Sequence, residues 1–75
     1  MKDVTVSAPP ISLVVNGVER DIAAADVAAA LVELEFDGAV VATALNGEFV
    51  PRRKRADTPL TDGDRLEILA PRQGG

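Results

Sequence analysis

Seventy-five residues suffice for one domain and leave no room for a second. A chain this short buries only about 60% of its unfolded surface, so its core must be small. The sequence has no cysteine and no histidine, and it carries a formal charge of −4. Disulfides, thiolate chemistry, the usual acid–base residue near neutral pH and the commonest metal ligand are therefore excluded, and general affinity for nucleic acid is disfavoured. With 47% apolar residues but no long apolar run, the chain reads as a folded domain and not as a membrane span. These absences point away from an enzyme that works alone.

The opening MKDVTVSAPP has no apolar core of signal-peptide length, which predicts a cytoplasmic protein. Pro9-Pro10 cannot join a ladder, and residues 1–10 are expected to form a flexible lead. ISLVV, Asn16-Gly17 and VERDI then spell a two-residue hairpin that pairs Val15 with Val18 and Ile11 with Ile22. In DVAAALVELEF, Val27, Leu31 and Leu34 recur at helical spacing and make one apolar stripe, while Glu33 and Glu35 face water. Asp26 is the expected N-cap and Asp37-Gly38 the expected stop.

VVATAL, Asn46-Gly47 and EFV spell a second hairpin closed by Pro51. The cluster Arg52-Arg53-Lys54-Arg55 follows and reads as a loop. Asp62-Gly63 launches a last strand, RLEIL, with apolar residues on both faces, as suits a strand flanked by neighbours. A single helix must bury its stripe on one face of the sheet. The predicted fold is therefore α+β: a mixed sheet of four to five strands, the last beside the first, with the helix packed across it. Residues 11–70 form this β-grasp, ubiquitin-like domain, and residues 71–75 form a flexible tail.

No pair of carboxylates has a spacing that requires acid–base work or a hard-metal site, so no catalytic residue and no metal ligand is assigned. The basic cluster reads as a solvated loop or as a docking surface for an acidic partner, with Arg52, Arg53 and Arg55 as candidates. No aromatic interleaves it for base stacking. Phe36 and Phe49 are the only aromatics, and both suit a core. Phe49, beside the cluster, is the candidate contact.

The tail raises a sharper question. Pro71 bars continuation of the ladder through its own nitrogen, and five extended residues reach about 17 Å. Gly74 and Gly75 lack β-carbons and could enter a channel too narrow for other residues. A terminal carboxylate is a poor electrophile until it is coupled to AMP, when its carbon opens to a nucleophile. By composition alone the tail is either such a working terminus or a dispensable end.

The segments LNGEFVPR and LTDGDRLEIL and the final Gly74-Gly75, in that order and spacing, resemble the ThiS family of small sulfur carriers in thiamin thiazole biosynthesis. The likeness covers about residues 11–75. It implies a β-grasp carrier that is not itself an enzyme and binds no cofactor of its own. A ThiF-type enzyme would use ATP and magnesium to adenylate Gly75. Sulfur derived from a cysteine desulfurase would convert the acyl-adenylate to a thiocarboxylate, and thiazole synthase (ThiG) would accept the sulfur. Gly74 would let the terminus thread its partners' sites. Neither nucleic acid nor membrane enters this scheme.

Residues 1–10 extend beyond the family's usual start, and Arg55 stands near a position where an aromatic is often found. The related alternatives are a MoaD-like carrier for molybdopterin and a ubiquitin-like modifier captured by a lysine amine. A non-covalent binding module is the alternative of another class.

Overall fold

The computed structural model describes residues 9–36 and 38–70. The expectations placed on residues 1–8, Asp37 and residues 71–75 lie outside the described residues.

Two Asn-Gly turns set the frame of the sheet. Asn16 (φ 51°) and Gly17 (φ 83°) fold strand β1 (Ile11–Val15) back on β2 (Val18–Ile22). Asn46 (φ 50°) and Gly47 (φ 86°) do the same for β3 (Ala42–Leu45) and β4 (Glu48–Val50). Positive φ at both central positions marks a type I′ turn, whose twist matches that of the flanking strands. Register follows from the turn: Val15 lies opposite Val18 and Ile11 opposite Ile22, as the spacing predicts. In the second hairpin Leu45 faces Glu48, Ala44 faces Phe49 and Thr43 faces Val50. Strand β3 is shorter than the apolar run suggests, for Val40 lies outside it and is 78% exposed.

Strand β5 (Arg65–Leu69) runs parallel to β1 and antiparallel to β3, giving the order β2-β1-β5-β3-β4. The mixed five-stranded sheet and the pairing of last strand with first are those predicted. Helix α1 (Val27–Glu33) covers one face. Leu13 and Val15 of β1, Val27, Ala30 and Leu31 of α1, and Leu66 and Ile68 of β5 share the core. Each such leucine, valine or isoleucine contributes about 1.5–3 kcal/mol by leaving water.

The helix begins as predicted and ends early. Asp26 caps it by accepting a 2.8 Å bond from the Ala29 N–H. Its exit lies at Glu35 (φ 68°), before Asp37-Gly38. There the Phe36 N–H reaches back to the Leu31 carbonyl at 2.7 Å and the Glu35 N–H to the Val32 carbonyl at 3.0 Å. This is a Schellman closure with glutamate where glycine usually stands, and Phe36 packs against the core that holds Leu31, as the apolar partner of such a closure does.

The basic segment is solvated at Arg52, Arg53 and Lys54, as expected, but it is not a plain loop. Arg52–Asp57 forms a 3₁₀ helix beside α1. Beyond it, the Val27 N–H bonds the Thr58 carbonyl and the Leu60 N–H bonds the Ala25 carbonyl. The connection is thereby laid along the start of α1, and Leu60 joins the core.

Candidate functional site

On the face of the sheet away from α1, register and side-chain size produce an apolar hollow. Ala44 of β3 lies between Phe49 of β4 and Glu67 of β5, while Ala42 pairs with Leu69. Two small residues thus sit between two large ones. Phe49 is 70% exposed and Leu69 is 69% exposed, so this face leaves large side chains in water. Strand β5 is flanked on both sides as predicted, but Leu69 is not covered. Phe49 lies outside the core, whereas Phe36 is half-buried against it.

Leu69, Val40, Val41, Ala42 and Ala70 line the next part of the surface, which carries the apolar strip to the last described residue. The candidate terminus begins there by connectivity, so the exposed strip and residues 71–75 are neighbours along the chain. Gly74 and Gly75 themselves lie outside the described residues.

The cationic candidates divide. Arg52, Arg53 and Lys54 are exposed, and Lys54 shares a hollow with Phe49 and Pro51 at the β4 edge. Arg55 turns inward. Its Nη2 donates to the Val41 carbonyl at 2.6 Å and its Nε to Thr43 Oγ1 at 3.2 Å. The Thr43 hydroxyl donates in turn to the Val50 carbonyl at 2.8 Å, which satisfies a buried threonine. Arg55 therefore ties the 3₁₀ helix to β3, Arg52 lines a hollow beside Leu31, Val32 and Phe36 on the α1 side, and Lys54 is the cation beside Phe49.

Strand β5 is held by residues that the sequence marks only as turn formers. The Asn16 side chain accepts from the Ile68 N–H at 2.8 Å and donates to the Ile68 carbonyl at 3.1 Å. Asn46 accepts from the Arg65 N–H at 2.9 Å and donates to Asp64 Oδ1 at 3.0 Å. Asp62 accepts from the Ser12 N–H at 2.7 Å. Partial burial works to raise the pKa of Asp64, but hydrogen bonds from Asn46, the Thr61 N–H and the Thr61 hydroxyl outweigh it and hold the carboxyl below its ordinary value. The available signal was the repeated Asn-Gly pair itself, since a type I′ turn equally admits a glycine at the first position.

Among the described residues no group of three histidine, cysteine, aspartate or glutamate side chains could hold a metal ion, and no helix is long and apolar enough to cross a membrane.

The sequence model of the ThiS family matches residues 13–75, which span the sheet, the helix and the final diglycine. The chain belongs to the ThiS family. The crystal structure of a thiamine biosynthesis protein (ThiS) from Geobacter metallireducens superposes with a TM-score of 0.72 at 33% identity, covering 87% of this chain and 100% of that one. A thiazole synthase from Paramagnetospirillum magneticum (strain ATCC 700264 / AMB-1) is 44% identical over 66 residues, or 87% of this chain. Those residues are 20% of the thiazole synthase, so the chain spans about a fifth of that relative's length. The β-grasp fold expected of a ThiS protein is the fold observed.

Proposed function

We propose that this ThiS-family chain carries sulfur for thiamin thiazole synthesis on the carboxylate of Gly75. The observation that carries the reading is the extent of the family match, which runs through Gly74 and Gly75. In the proposed cycle a carboxylate oxygen of Gly75 attacks the α-phosphorus of ATP on a ThiF-type enzyme. Pyrophosphate leaves, and the acyl-adenylate forms with the partner's magnesium balancing the phosphate charge. The terminal sulfur of a persulfide, supplied by a cysteine desulfurase system, then attacks the carbonyl carbon and AMP leaves. A thiol cleaves the remaining sulfur–sulfur bond, and the terminus is left as a thiocarboxylate for thiazole synthase (ThiG).

The likeness to one-fifth of a thiazole synthase supports that acceptor over a molybdopterin partner. The apolar strip of Phe49, Ala44, Ala42 and Leu69 is the proposed docking face, with Lys54 beside Phe49 at its rim and Gly74 admitting the terminus to a narrow site. Intact-mass measurement after incubation with the adenylating enzyme, ATP, magnesium and a persulfide donor tests the cycle. The expected product has one sulfur in place of one oxygen, located at Gly75 by fragmentation. An unchanged mass with an enzyme active on another carrier overturns it, and ATP-dependent conjugates on lysines would replace it by the modifier reading.

A further inference from the structure

Parallel pairing of β1 with β5 stops early. Val14 lies opposite Arg65 and Val15 opposite Leu66, after which β1 turns away into its hairpin. Ile68 would be left without a partner on that side just before the chain leaves the sheet. The Asn16 carboxamide takes the vacated place. Its oxygen accepts the Ile68 N–H at 2.8 Å and its nitrogen donates to the Ile68 carbonyl at 3.1 Å, as a peptide group in a continuing strand would. The Asn16 backbone N–H adds a 3.0 Å bond to the Leu66 carbonyl. On the opposite side, Ala42 pairs with Leu69. The last two residues of β5 are therefore gripped from both flanks, and Ala70 follows directly.

Asn46 supplies the natural control. It occupies the same position of the same turn type, with φ 50° against 51° for Asn16. It too makes two side-chain bonds to the β5 region, but at Asp64 and Arg65, where the strand enters the sheet. Equal chemistry thus acts at opposite ends of one strand.

We propose that Asn16 is a positioning residue for the carrier terminus, acting through Ile68 to fix the root from which residues 71–75 extend. The functional part of this inference rests on the carrier reading above. A fixed root raises the effective concentration of the terminus at a partner's site once the domain has docked, whereas a loose root spreads the same five residues over a larger volume.

Asn16→Gly and Asn46→Gly both keep positive φ accessible and remove the carboxamide together with its β-carbon, so the effect of the lost β-carbon is common to the two. Asn16→Asp keeps an acceptor for the Ile68 N–H and loses the donor to its carbonyl. Two measurements are made on each full-length variant. Amide exchange and fast backbone order, read by NMR on the free chain, are expected to show Ile68 exchanging faster and Ala70 losing order in Asn16→Gly. In Asn46→Gly, faster exchange is confined to Arg65. Adenylation kinetics, read as pyrophosphate release by the ThiF-type enzyme, are expected to show kcat reduced roughly three- to tenfold in Asn16→Gly, the factor that one net hydrogen bond commands. KM should stay within about twofold, because the docking face is intact. Asn16→Asp falls between, and Asn46→Gly keeps the parent kcat.

Mere loss of folded protein would raise the apparent KM in both glycine variants alike. That pattern, or Ala70 equally ordered in the two, overturns the proposal. If the parent chain is not adenylated at all, the carrier reading fails separately, and the order of Ala70 alone decides whether Asn16 holds the root.

Discussion

Asp64 shows what one carboxylate does in the turn before β5. The side chains of Asn46 and Thr61 and the Thr61 N–H all donate toward it, which favours the charged form and holds its pKa below the ordinary 3.8 against the opposing effect of partial burial. In the unfolded chain those donors are gone and the ordinary value returns. The folded state therefore binds fewer protons than the unfolded state near pH 3.8, so this group's contribution is complete above that pH. It is lost as pH falls through the lower, folded value. Thermal melts of the parent and of Asp64→Asn should differ most at neutral pH, with the parent more stable, and should converge as the solution is acidified below about pH 4. A constant gap between the two across that range would mean that Asp64 titrates alike in both states.

At the scale of elements, the weak joint is the end of α1. Seven residues are too few for a helix to persist without tertiary support, so the cap and the packed stripe carry it. Its closing residue is Glu35 at φ 68°, a region that costs an L-residue about 1–2 kcal/mol. Glycine escapes that cost but gives up more chain entropy on folding. The net expectation is that Glu35→Gly raises stability by about 0.5–1 kcal/mol. It would be seen as a higher urea midpoint with an unchanged slope, while Glu35→Ala, which keeps the steric cost, should give no gain.

This joint also shows where the sequence stops being legible. The strands, their registers and the N-cap could be read because Asn-Gly turns and an Asp before an apolar stripe act locally. The helix stop was misplaced at Asp37-Gly38 because an L-residue with positive φ leaves no local mark, whereas a glycine does. The structural task of Arg55 was hidden for a related reason. Nothing in a run of four cations says which one meets the Val41 carbonyl fourteen positions earlier in the chain. Phe49 suits a core by composition, and only its pairing with Ala44 shows that it faces out. The second task of Asn16 and Asn46 depends equally on where β5 returns, which periodicity cannot supply.

For the molecule as a whole, α1 closes one face of the sheet and, among the described residues, nothing closes the other, whose apolar strip leads to the residue before the candidate terminus. The proposed function assigns recognition to this strip and chemistry to the terminus, and substitutions should divide along the same line. Phe49 is 70% exposed, so Phe49→Asp should change stability by no more than about 0.5 kcal/mol. It would, however, set a second carboxylate across Ala44 from Glu67, in the middle of the proposed contact. A buried aromatic anchor at an interface is commonly worth 2 kcal/mol or more, so KM for adenylation should rise by roughly thirtyfold with kcat recovered at saturation. Gly75→Ala acts at the proposed reacting carbon's own residue and should instead lower kcat while leaving KM and the melting temperature unchanged, the pattern of a terminus that serves only its partners. Steady-state adenylation of both variants, with melting curves recorded in parallel, checks the division. A Phe49→Asp protein with the parent's KM would show that the partner docks elsewhere, and a Gly75→Ala protein that melts early would show that the terminus belongs to the folded body.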